Sequence, residues 1–318
     1  MELASAAGTK GLELNPNLAG PHVSLGRILQ GTGRDAEALA QFQKAVELDP
    51  RDNEAVQGLA NSYSALKQYD RAEATYREAI AMRSGDWTGY KQLGLYYARR
   101  GEWDKAIEQY RRVVALAPDS AHGYVNLAAF YAHKEEFDSA KGHLVKALAI
   151  DPNRLSTLYN LTKIYYEEGQ FNRAIELSER ALALNPRAPR VWGQLGLANK
   201  RLGHEAKARA NLTEAAKLLQ AELRVNPKNQ ESLVLLAFYQ ASLGENAATV
   251  TPLVNRFLAS GSQSSEELIM AAETMAILGD PARAVQLAQR AITVGHSTRS
   301  LLRSVELRAL TAQILSKP

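Results

Sequence analysis

Five prolines constrain this chain more than any other feature. Pro16, Pro50, Pro118, Pro152 and Pro186 follow LELN, VELD, VALA, LAID and LALN, and all fall on one 34-residue grid in which Ser84 takes the missing slot. Repetition at such a period signals stacked copies of one supersecondary unit and overrides local signals. Counted from three residues after each of these points, the repeats begin at Ala19, Asn53, Trp87, Ala121, Leu155 and Pro189.

Within a repeat, the fourth, seventh, eighth and eleventh positions are apolar or small: Tyr90, Leu93, Gly94 and Tyr97 in the third, Tyr124, Leu127, Ala128 and Tyr131 in the fourth. At about 100° per residue these four positions share one narrow arc, which predicts an amphipathic first helix. A turn follows, with Gly33, Gly101, Gly169 and Gly203 where a left-handed cap is expected. A second stripe, such as Ala38, Phe42 and Ala45 or Ala106 and Tyr110, predicts a second helix packed closely against the first. The closing proline cannot continue that helix and marks the boundary.

A 34-residue helix–turn–helix with this pattern resembles the tetratricopeptide repeat family, over residues 19–220. Departures are few: Ser84 for the proline, Val113 for a small alanine, and Ser178 and Asn199 among apolar positions. The resemblance implies an all-α, right-handed solenoid of antiparallel helix pairs, with a C-terminal capping helix. Residues 1–18 read as part of a preceding repeat, since KGLELNP matches KAVELDP. Residues 19–222 hold six regular repeats, the sixth with a second helix lengthened over 204–225, because Pro227 comes seven residues late. Residues 223–299 hold two degenerate repeats, and Pro252 implies that the second helix of the first of these starts late or is kinked. The tail, 300–318, is expected to form the capping helix that a stacked array needs.

The second, sixth, ninth and thirteenth positions of the first helix point away from the stripe. In this family, the resemblance implies, that side lines a concave binding groove. Four amides recur at the sixth position: Gln92, Asn126, Asn160 and Gln194. A side-chain amide both donates and accepts, so a ladder of them can pair with an extended peptide backbone; the alternative is a bond to the next helix. Asn61 joins them, and Arg27, Arg99, Lys163, Arg190 and Arg201 stand against Glu54 and Glu167, with His122 and His133 adding to the basic side. Tyr159 and Tyr166 border the groove. This surface suits an extended, acidic or carboxylate-terminated peptide. The carboxylate clamp found in some members of the family is incomplete: Lys91 and Asn126 fit, but Leu95, Ser156 and Asn160 replace its other polar residues.

Chemistry is hard to place on these residues. The chain has no cysteine, which removes disulfides, thiolate metal sites and cysteine catalysis. GTGRD at 31–35 is a turn between helices, without the Lys-Ser/Thr of a phosphate loop. His122, His133 and His143 share a repeat, but the third projects from the second helix, so no metal site is expected and no cofactor. The paired arginines at 99–100 and 111–112 lack interleaved aromatics, and a net charge of +4 is too weak to argue for nucleic acid. No apolar run reaches the roughly 18–20 residues of a spanning helix, and MELASAAGTKG is not a signal peptide.

The sequence therefore reads as a soluble, non-catalytic protein- or peptide-binding scaffold, placed in the cytoplasm with the periplasm left open. The C-terminal stretch is similar, less specifically, to repeat regions of large bacterial signalling proteins, which implies the partner-sensing part of a longer chain. The rival readings are an array that presents substrates to a separate catalytic domain and a module that self-associates end to end.

Overall fold

The computed structural model describes residues 15–295, 297–301 and 303–316. The chain divides into two compact bodies, residues 1–143 and 144–318. In the amino-terminal body the helices are α1 (Ala19–Gly31), α2 (Asp35–Leu48), α3 (Asn53–Ala65), α4 (Tyr69–Met82), α5 (Trp87–Arg99), α6 (Trp103–Leu116) and α7 (Ala121–His133), and the division falls within α8 (Phe137–Ile150). From α1 to α7 each helix packs on the next, and the first helices of successive repeats also touch, α1 on α3 and α3 on α5. The predicted N-terminal helix of a preceding repeat lies, up to residue 14, outside the described residues.

Small residues on the first helices make this packing close. The ring of Phe42, fully buried on α2, fills the space where Gly26 of α1 and Gly58 of α3 have no side chain: a Cβ at Gly58 would stand 2.1 Å from the ring and one at Gly26 2.8 Å. Gly94 faces Tyr110 in the same way, at 2.6 Å. In the fifth repeat the corresponding positions are Thr162 and Ser178, both buried, so a larger residue on one helix accompanies a smaller one on the other.

The turns keep one conformation throughout. Gly33, Gly101, Gly169 and Gly203 take φ between 72° and 75°, the left-handed cap expected of them. Lys67 and Glu135 hold the same place in the second and fourth repeats with φ of 59° and 62°, a conformation that side chains adopt at a cost.

The carboxy-terminal body contains α9 (Leu155–Glu167), α10 (Phe171–Leu184), α11 (Pro189–Arg201), α12 (Glu205–Val225), α13 (Gln230–Ser242), α14 (Ala247–Ala259), α15 (Ser265–Ile277) and α16 (Pro281–Thr293). The long α12 is the lengthened second helix of the sixth repeat. First helices again touch in sequence, α9 on α11, α11 on α13 and α13 on α15.

The structure bears on two local expectations. α14 runs through Pro252 from Ala247, starting on time, with Asn246 capping the Thr249 amide. And the tail is not one capping helix over 300–318: its described residues form α17 (Thr298–Leu301), a short 3₁₀ turn (Arg308–Leu310) and α18 (Thr311–Leu315). Leu301, Leu307 and Ile314 are all buried in the core of the last two helix pairs. Between the first two, the Ser304 hydroxyl accepts the Leu307 amide at 3.3 Å and turns the chain there.

Candidate functional site

In the amino-terminal body the sixth-position amides do different things. Gln92 is buried, and its Nε2 donates to the Asn53 carbonyl on α3 at 3.2 Å. It bridges two successive first helices. Asn126, half-buried, donates to His122 O one turn back in its own helix, at 2.9 Å. The remaining polar positions stay towards solvent. Arg27 pairs with Glu54 at 3.1 Å, with about two-thirds of each side chain exposed, and Arg99 donates to Asn61 Oδ1 at 3.2 Å. His133 lies flat on the indole of Trp103, ring centres 4.1 Å apart. Gly20 and Gly31 border open space.

The same face in the carboxy-terminal body is built differently. Here α9, α11, α13 and α15 surround a cavity of about 190 Å³, with residues 303–306 forming part of its wall. Tyr159, Lys163, Arg190 and Gln194 line it, all expected on this face; Asn160, half-buried on α9, does not. The basic residues are already engaged. Arg190 pairs with Glu231 and donates to the Tyr159 hydroxyl at 3.0 Å. Arg201 donates to the Tyr166 hydroxyl at 3.1 Å and pairs with Glu306. Lys163 stands 3.9 Å from Glu266, and Arg303 3.0 Å from Glu167.

Burial shapes the electrostatics of these groups. It pushes the Glu273 carboxyl up to about 7, with the negative Glu306 nearby adding to the shift and the hydroxyl of Ser304, at 2.7 Å, working against it. Burial also raises Glu167 above the usual carboxylate range, outweighing the attraction of Lys163 and Arg303. Tyr166 rises to about 12, from burial first and from Glu306 second. The Gln194 carbonyl oxygen is enclosed with no hydrogen-bond partner among the described residues.

Apart from Glu167, sequence reasoning missed the acidic half of this network, although the register held its signal for part of it. Counted from Gln230 and Ser265, the second, sixth and ninth positions of the degenerate repeats are Glu231, Leu235 and Phe238, then Glu266, Met270 and Glu273. All but Glu231 line the cavity. Glu306 and Arg303 had no such signal, since they reach the face from the tail.

The sequence matches tetratricopeptide repeat families over residues 23–86 and 133–196, and the middle tetratricopeptide-like domain of cilia and flagella-associated protein 70 over residues 56–157. Together these matches run through more than half of the chain. The chain belongs to the tetratricopeptide repeat family. This tetratricopeptide repeat chain is similar in fold to BtubC from P. vanneervenii, with a TM-score of 0.50 and 23% identity over 60% of this chain and 90% of that one. The APC/C heterotetramer Cut9–Hcn1 matches 90% of this chain and 52% of the other, at TM-score 0.50 and 17% identity. A crystal structure of MamA aligns at TM-score 0.47 and 21% identity, over 55% of this chain and 95% of that one. No curated protein matches the sequence significantly. Tetratricopeptide repeats are a scaffold fold typical of protein–protein interaction and peptide binding, and are generally non-catalytic. Among the described residues no helix is long and apolar enough to cross a membrane.

Proposed function

We propose that this tetratricopeptide repeat chain is a scaffold that binds an extended, acidic segment of a partner protein along the first-helix face of residues 19–133. One observation carries the reading. The side chains on that face of α1, α3 and α5 contact mainly one another, in exposed pairs such as Arg27–Glu54 and Arg99–Asn61. Exposed pairs of this kind contribute about 0–1 kcal/mol, so a partner carboxylate displaces them at little cost. Arg99, Lys91 and His122 give the face a basic balance against Glu54, and the open ground at Gly20 and Gly31 leaves room for a backbone. Side-chain amides and guanidinium groups then meet backbone and carboxylate of the incoming chain.

Selection of a random displayed peptide library on the intact protein tests this. Ligands rich in Asp and Glu are expected, with affinity reduced at least tenfold by Arg27→Glu/Arg99→Glu and weakened by salt. Ligands without acidic bias, or equal binding to the double variant, would overturn the assignment.

A further inference from the structure

We propose that the cavity of the carboxy-terminal body is a binding site for an alkyl chain ending in a cation, an ammonium or guanidinium group, held by the Glu273 carboxylate and the Gln194 carbonyl oxygen. The inference concerns a different body and the opposite charge from the peptide reading above, and does not depend on it.

Charge pairing decides the sign of the ligand. Each base on the wall already has an acid: Arg190 has Glu231, Lys163 has Glu266, and Arg303 has Glu167. Arg201, adjoining them, has Glu306. An anion entering here would have to break one of these pairs. Glu273 is different: among the described residues no cation pairs with it, and its hydrogen bond comes from the neutral hydroxyl of Ser304. A half-buried carboxylate with no cation in contact is costly to ionise, and an arriving cation offsets that cost.

The neutral lining agrees. The orphaned Gln194 oxygen, also on the wall, needs a donor, since a buried acceptor left without one is destabilising. Ammonium and guanidinium groups each carry several N–H donors and no acceptor. Phe238 and Tyr239 add aromatic rings to the lining, which favour a desolvated cation, while Leu197, Ile269 and Met270 suit an alkyl stem. At about 190 Å³ the cavity holds one such group, well short of a folded element or a run of peptide. The group can come from a free amine or from a lysine or arginine side chain of a bound polypeptide; only the second source rests on the scaffold reading.

The geometry implies proton linkage. Glu273 shares the cavity with Tyr159, Lys163, Tyr166 and Glu167 from α9, Arg190 from α11, Tyr239 from α13, Glu266 on its own helix, and Arg303 and Glu306 from the tail. Burial pushes its carboxyl up to about 7, so an arriving cation must displace a proton below that pH. Affinity then falls about tenfold per pH unit below 7 and levels off above it, with about half a proton released at pH 7.

Calorimetry on the intact protein reads all of this, with n-butylguanidinium as the free probe and acetyl-Gly-Arg-Gly-amide as the tethered one. Citrulline in the same peptide and n-pentanol are the neutral controls. The cationic probes should bind at pH 8, and the neutral ones at least tenfold more weakly. Glu273→Gln should weaken the cations at least tenfold, and Gln194→Leu several-fold, in variants whose circular dichroism matches the wild type. The pH profile and the buffer-dependent proton release need no variant and test Glu273 in the native protein. Tighter binding of the free probe identifies a small-amine site, and tighter binding of the peptide a side-chain pocket; both support the cation assignment. Absence of binding by either cation, equal binding of the neutral controls, or a flat pH profile would overturn it.

Discussion

Substituting Gly58 by alanine sets two physical effects of known sign against each other. Alanine is the better helix former by about 1 kcal/mol, so at an open helical position the change stabilises. At Gly58 the new Cβ would stand 2.1 Å from Cε1 of Phe42, 2.4 Å from Cδ1 and 2.5 Å from Cζ. The ring has no retreat, because its other edge already lies 2.8 Å from where a Cβ on Gly26 would be, and Phe42 is fully buried. Overpacking of a filled core costs about 1–3 kcal/mol, and a ring held on both edges belongs at the upper end. The net expectation is a loss of about 1–2 kcal/mol, after the helix preference is subtracted. Gly20→Ala is the control: no atom lies within 4 Å of its Cβ, so it should gain a few tenths to about 1 kcal/mol. Native-state hydrogen exchange at α2 and α3 amides, which reports local opening, is the appropriate assay. Combining Gly58→Ala with Phe42→Leu should cost less than the sum of the two changes. Gly58→Ala as stable as wild type, with the Gly20 control behaving as expected, would refute the packing argument.

Three further outcomes follow from the same geometry. Gln92→Ala should cost about 1 kcal/mol by removing the bond between first helices, the Asn53 carbonyl keeping its partner within α3, whereas Asn126→Ala, which removes a bond within its own helix, should cost well under 1 kcal/mol in urea titrations. Lys67→Gly and Glu135→Gly should each raise stability by about 1 kcal/mol, because both positions hold left-handed φ; a thermal melt that falls would refute this. Glu273, whose folded-state carboxyl is raised to about 7, favours the folded state when protonated. Its contribution is therefore present below the ordinary carboxylate range and is lost as pH rises through 7. Glu273→Gln should be more stable than wild type at pH 8 and close to it at pH 5 in paired denaturant titrations.

The repeat, the helix pairs and the turn glycines were legible because each rests on a periodic requirement. A small residue must stand opposite a large one, as Gly94 does opposite Tyr110, and a left-handed turn must follow every first helix. The same periodicity carried the inward register into α13 and α15, where Glu231, Glu266 and Glu273 were readable had the count been continued. Two things were not legible. Which way a sixth-position amide turns depends on the gap to the preceding helix, so Gln92 and Asn126 share a position and not a role. And the tail reached the first-helix face through Leu301 and Leu307, anchors separated by a turn at Ser304. An apolar pattern that also fits a helix gave no sign of that turn.

Gly193 of α11 has a consequence in motion. A Cβ there would fall 2.0 Å from Cζ of Tyr239 and 2.3 Å from its hydroxyl, so the ring of α13 rests on bare backbone. A tyrosine gripped this way turns over only when its two helices part. The flip rate of Tyr239, read from the exchange of its paired ring resonances, is then a clock that counts how often α11 and α13 breathe.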